Sequence, residues 1–181
     1  MDLLCLDFVN SVFRDFRGRW VRDNLQNPEW FAQFLHKWHL AVEQPADETV
    51  LTELIDLRTL LLRAIEAVDE RDAVASQDLA LLNALLSKKA FSYQIELVGG
   101  EYRLESVPAL HDWNWVQSEI IVDFITLLID HEPERLKICQ NPYCRSVFYD
   151  ETKSRTQLYC FNKCANLTKL RRFRAKQKTN T

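Results

Sequence analysis

Three patterns predict a mainly α fold. Apolar residues recur every three to four positions along most of the chain, one segment switches to a period of two, and two close cysteine pairs stand near the C-terminus. Together they describe a helical N-terminal domain with one β-hairpin, residues 1–134, and a small finger of treble-clef or zinc-ribbon type, residues 135–181. At 181 residues and 47% hydrophobic composition the chain can bury a sizeable core, and three Gly and five Pro leave little room for long flexible linkers.

Asn27-Pro28-Glu29 reads as an N-cap, a first-turn proline and an acid matched to the helix dipole. Trp30, Phe31, Phe34, Leu35 and Trp38 follow at helical spacing, so a helix is expected over about 28–42. Asp47 opens a longer one, with Val50, Leu51, Leu54, Leu57, Leu61, Ile65 and Val68 as its apolar stripe, ending between Asp69 and Asp72. Ser76 is read as the cap of a third helix carrying Leu79, Leu82, Leu85 and Leu86. Phe91, Tyr93, Ile95 and Leu97 then alternate with polar residues, and Gly99-Gly100 separates them from Tyr102 to Glu105, which is a hairpin pattern. A helix over about 113–131 closes the domain, and Pro133 follows its end. Leu6 to Ser11 is too short to assign to helix or strand. The five tryptophans read as packing residues, His36 and His39 as ordinary histidines, and Cys5 as a small buried hydrophobe.

The net charge of −3 hides an asymmetry. Residues 1–134 hold 11 Lys and Arg against 24 Asp and Glu, a balance of −13; residues 135–181 hold 12 against two, a balance of +10. An acidic body with a basic tail points to a polyanion partner for the tail, or to docking of the tail on its own body. The chain opens with Asp2 and Asp7 where a secretory signal needs basic residues and an unbroken apolar stretch, so a cytoplasmic, bacterial-type protein is expected.

In that tail the pattern is C-x4-C, fifteen residues, C-x3-C, formed by Cys139, Cys144, Cys160 and Cys164. In a reducing compartment two such pairs read as a tetrahedral Zn2+ site; iron–sulfur ligation, redox-active thiols and a chance grouping of cysteines are the alternatives. Gln140-Asn141-Pro142-Tyr143 forms the turn between the first two ligands, and Ser146–Tyr149 and Gln157–Tyr159 read as two short strands. Four thiolates close the coordination sphere, so the ion is expected to be structural rather than catalytic. The second pair opens a helix in which Leu167, Leu170 and Phe173 are expected to face inward. Lys163, Asn166, Lys169, Arg171, Arg172, Arg174 and Lys176 are the candidate nucleic-acid contacts.

These residues resemble the CGNR zinc-finger family, whose N-terminal part is the ABATE domain. Leu6-Asp7-Phe8-Val9-Asn10-Ser11 is similar to the family's opening L-D-F-x-N-[TS]. The cysteines, Phe148-Tyr149-Asp150 and Arg171-Arg172-Phe173-Arg174 stand where its finger has equivalents. Cys164-Ala165-Asn166-Leu167 keeps the cysteine and asparagine of the naming tetrapeptide but not its glycine and arginine. The resemblance implies a helical domain with a small β element, a zinc finger, and a proposed role in bacterial transcription regulation.

The leading expectation is therefore a DNA-binding transcriptional regulator whose helical body senses a small-molecule effector or forms a homodimer. The alternative is a ligand-binding or protein-interaction protein in which the finger is a structural or docking module. No enzyme is expected: nucleophile–base pairs and glycine-rich phosphate loops are absent from the sequence, and no catalytic residue is assigned. Asp7 and Asn10 are the candidate lining of a ligand pocket.

Overall fold

A computed structural model describes residues 2–179. The chain runs α1 (Leu4–Val9), β1 (Val12–Arg14), β2 (Val21–Asp23), α2 (Pro28–Lys37), α3 (Glu48–Asp69), α4 (Ser76–Leu86), β3 (Phe91–Val98), β4 (Glu101–Pro108), α5 (Trp113–Asp130), β5 (Leu136–Ile138), β6 (Val147–Tyr149) and α6 (Asn162–Thr179). Each strand pair is a separate antiparallel two-stranded sheet: β1–β2, β3–β4 and β5–β6. Among the described residues no helix is long and apolar enough to cross a membrane.

Two of the three expected caps form. Asn27 Oδ1 accepts from the N–H groups of Glu29 and Trp30 at 3.1 and 3.4 Å, and Asp47 Oδ1 accepts from Val50 at 2.8 Å. Asp112 does the same for Trp115 at 2.9 Å. Ser76 does not cap α4. It is the first helical residue, Ala75 holds the cap position without a side-chain bond, and Asp78 of the first turn pairs with Arg63 of α3 at 2.7 Å. Helix α2 stops at Lys37, short of the expected 42, because His39 takes a φ of +54° that no α-helix contains.

The stripe of α3 buries Leu54, Leu57, Leu61, Ala64 and Ile65 against α1 and α5, where Phe8, Ile120, Ile121 and Phe124 are fully enclosed. Leu136, Ile138 and Val147 join this same core, so the sheet that starts the finger is packed onto the body. The expected strand at Gln157–Tyr159 is not formed. The partner of β6 is β5, with Ile138 opposite Val147, and the 150–157 loop is instead gathered around Asp150. That buried carboxylate accepts from Lys137 Nζ at 2.7 Å and from the Gln157 and Thr152 N–H groups at 2.9 and 3.0 Å. Burial alone would raise its pKa, but these donors hold it well below the usual carboxylate range.

Candidate metal centre and basic helix

The four cysteines converge. Cys139 directly follows β5, Cys144 closes the turn that comes next, Cys160 precedes α6 and Cys164 lies in its first turn. Their Sγ atoms all lie within 4.8 Å of one another. Four Zn–S bonds of about 2.3 Å in a tetrahedron require sulfur separations of about 3.8 Å. Cys144–Cys160 at 3.6 Å and Cys160–Cys164 at 3.9 Å bracket that value. All four are free thiols and three are buried. Packed together they cannot all ionise unaided: Cys160 is pushed up by Cys139 and Cys144, and Cys164 rises to about 11, chiefly by burial. A divalent ion removes that conflict by replacing the protons. The donor set and its spacing therefore fit Zn2+, held by Cys139, Cys144, Cys160 and Cys164 with no open position.

Polar groups around the sulfurs orient them, as outer partners of metal sites do. Ser146 Oγ lies 3.2 Å from Cys144 Sγ, and Asn141 Nδ2 donates to Cys164 Sγ at 3.4 Å. Asn141 is fully buried and reaches further: Nδ2 also donates to the Phe16 carbonyl at 2.9 Å, and Oδ1 accepts from Arg171 Nη1 at 3.2 Å. One amide thus ties together a metal ligand, the basic helix and the turn between β1 and β2.

That turn is built to dock here. Asp15, Phe16, Arg17 and Gly18 close it, with the Gly18 N–H donating to the Asp15 carbonyl at 2.7 Å. Gly18 has φ +81°, and a Cβ on it would fall 2.2 Å from the Tyr143 ring. Arg171 lies over the Tyr143 ring, its guanidinium carbon 4.3 Å from the ring centroid, and donates to the Arg17 carbonyl at 3.2 Å. At its base the β1–β2 hairpin is held by Arg58, a buried arginine in the stripe of α3. Arg58 grips Asp23 with bonds of 2.7 and 2.6 Å and donates to Ser11 at 2.8 Å.

Two family models match the chain. The ABATE model, described as "Putative stress-induced transcription regulator", matches residues 2–131, and the CGNR zinc finger model matches residues 135–177. The chain belongs to the ABATE family. No curated protein matches it in a sequence search.

In this ABATE protein α6 carries its charge on the solvent side. Lys163, Asn166, Lys169, Arg172, Arg174 and Lys176 are exposed. Arg171 differs, being half-buried between Tyr143, Asn141 and Arg17. Of the expected inward residues Leu167, Leu170 and Phe173 only Leu167 is half-buried, so the three do not form the inward face of α6. That face is Cys164, Thr168 and Arg171, which follow the i, i+4, i+7 spacing of a real helix face, whereas a repeat of three drifts around the axis. Leu170 and Phe173 are accordingly exposed among the cations.

Asp7 and Asn10 do line one groove of about 680 Å³, with Phe13, Phe148, Gln157 and Phe161. Both side chains are engaged by the protein. Asp7 accepts from Trp38 Nε1 at 3.0 Å and from Lys37 at 2.6 Å. The Asn10 amide pairs with both the N–H and the carbonyl of Val147 at 2.9 Å, clasping α1 to the finger like an added strand.

Arg14, Arg17, Arg19 and Arg22 escaped sequence reasoning as site residues. All four are exposed on the docked hairpin, with Phe13 and Trp20 beside them. The signal was present: four of the 11 cations of residues 1–134 fall within nine positions around one of only three glycines.

Proposed function

We propose that this ABATE protein is a transcription regulator that binds duplex DNA with α6 and the β1–β2 turn, the zinc ion serving as a structural brace. The observation that carries the reading is the gathering of exposed cations on one metal-braced unit: Lys163, Lys169, Arg172, Arg174 and Lys176 on α6, with Arg14 and Arg17 on the hairpin docked against it. An α-helix matches the width of the major groove, and each neutralised phosphate releases counterions. Asn166 has the amide that can pair with adenine, and Leu170 and Phe173 offer apolar contact to thymine methyl groups. The arginines and lysines around them would chiefly position on phosphate. Arg171 has a different part: it positions the hairpin on the finger.

The rest of the body, acidic overall, would stay off the duplex. A closed sulfur set offers no water to activate, so the proposed role is binding and not catalysis. The reading implies a cytoplasmic protein.

The test is an anisotropy titration of a labelled duplex with the zinc-loaded chain at several salt concentrations. Affinity should fall steeply with salt, and Arg172→Ala with Arg174→Ala should lower the slope of log K against log salt by about 2. Binding no better than that of an acidic control protein, or a slope unmoved by the double substitution, contradicts the reading. Tighter binding to single-stranded RNA would contradict the choice of duplex.

A further inference from the structure

The β3–β4 ribbon is long, regular and apolar on its open side. Its register pairs Ile95 with Leu104 and Leu97 with Tyr102 across the strands, and the turn is formed by Gly99 and Gly100, both with positive φ. Residues directly opposite in an antiparallel pair share a face, so these four side chains make one surface. They are 74%, 67%, 63% and 82% exposed respectively. The reverse face holds Gln94, Glu96, Glu101 and Arg103. The ribbon is thus amphipathic with its apolar side in solvent, and the hydrophobic core draws no described side chain from it. A lone two-stranded hairpin is marginal in water, and an apolar sheet face of this extent is normally covered.

We propose that a second copy of this chain covers it, the two ribbons packing apolar face to apolar face about a two-fold axis. The four side chains offer roughly 600 Å² per copy, so two copies bury about 1,200 Å², the lower bound for a specific interface. The face is self-complementary, as an isologous contact must be: aliphatic Ile95 and Leu104 lie at one end and Leu97 beside the Tyr102 ring at the other. It presents no charge by which an acidic or basic partner would be selected, whereas the reverse face carries both signs and stays solvated. The inference is independent of nucleic-acid binding.

Sedimentation velocity of the zinc-loaded full chain over about 1–100 µM decides it. The wild type should be dimeric at the upper concentrations. Ile95→Glu with Leu104→Glu should raise the dissociation constant about 100-fold by burying charge at the interface centre. Gln94→Glu, on the reverse face, should leave it unchanged. A wild type that is monomeric throughout overturns the proposal, including the case in which the ribbon binds lipid vesicles or another protein. A double variant as dimeric as the wild type overturns it too. Circular dichroism and zinc content report whether that variant keeps its fold. Should it not, hydroxyl-radical labelling of Tyr102 in the wild type takes its place: protection that grows with concentration supports the dimer, and constant labelling refutes it.

Discussion

The two hairpins of the helical domain teach opposite lessons about what orders a β-ribbon. The β1–β2 pair has only three residues per strand, yet Arg58 grips its base through Asp23, and Asn141, Tyr143 and Arg171 hold its tip. The β3–β4 pair has eight residues per strand and a turn well suited to it, yet leaves its apolar face in solvent. Strand length and turn chemistry decide whether a hairpin forms. Tertiary contacts decide what becomes of it: the short one is a fixed part of the metal-braced unit, and the long one keeps Ile95, Leu97, Tyr102 and Leu104 exposed.

The sharpest way to break that contrast is at Arg58. Replacing it by Ala strips the half-buried Asp23 carboxylate of its partner, leaves a gap where the buried Arg58 stem packed, and should cost about 2–4 kcal/mol in urea denaturation. The loss should be accompanied by faster amide exchange at 12–23 and none at 91–108. A loss under about 1 kcal/mol would mean that the short hairpin is held elsewhere.

Gly18→Ala attacks the other end. Its Cβ would strike the Tyr143 ring in a backbone conformation that disfavours side chains, so the tip must lift from the finger. The expected cost is about 1–3 kcal/mol, with Tyr143 losing its fixed environment in near-ultraviolet circular dichroism. An unperturbed signal would contradict the docking.

Acid should separate the hairpins as well. Asp23 has a lowered pKa, since Arg58 outweighs the opposing effect of burial, and Asp150 is lowered by Lys137, Thr152 and Gln157. A carboxylate whose pKa is depressed by folding contributes stability that is full above its unfolded value of about 3.9 and fades as pH falls toward the folded one. Below about pH 4 exchange should therefore rise at 12–23 and 150–157 before it rises at 91–98. The smallest effect is expected on the ribbon: Ile95→Ser should change the stability of the monomer by no more than about 0.5 kcal/mol, measured at protein concentrations too low for association.

How much of this was legible beforehand follows the range of the interactions. The helices over 47–69 and 113–130, the Gly-Gly hairpin and the metal ligands are written in local spacing, and all could be read from it. Cys139, Cys144, Cys160 and Cys164 needed only their intervals. By contrast, Arg58 looks like an exposed helical arginine until Asp23, 35 positions away, is brought beneath it. The β1–β2 hairpin was missed because three-residue strands show no alternation, and its stabilising contacts come from Asn141 and Arg171. The strand expected at 157–159 failed for the same reason: β5 supplies the pairing and Asp150 organises the loop. Leu170 and Phe173 stand at a repeat of three that suggests an inward face, yet they are exposed, because the face turned to the finger follows Cys164, Thr168 and Arg171.

The zinc site, the basic helix and the β1–β2 turn are one unit, joined through Asn141, Tyr143 and Arg171, and the β3–β4 ribbon is not part of it. Hydrogen exchange of the full chain, compared with and without a zinc chelator, tests this most directly. Removal of the metal should abolish protection at 139–170 and, through Asn141, Tyr143 and Arg171, raise exchange across 13–22 as well, with residues 91–108 unchanged. Protection at 13–22 that survives the loss of zinc would contradict the account.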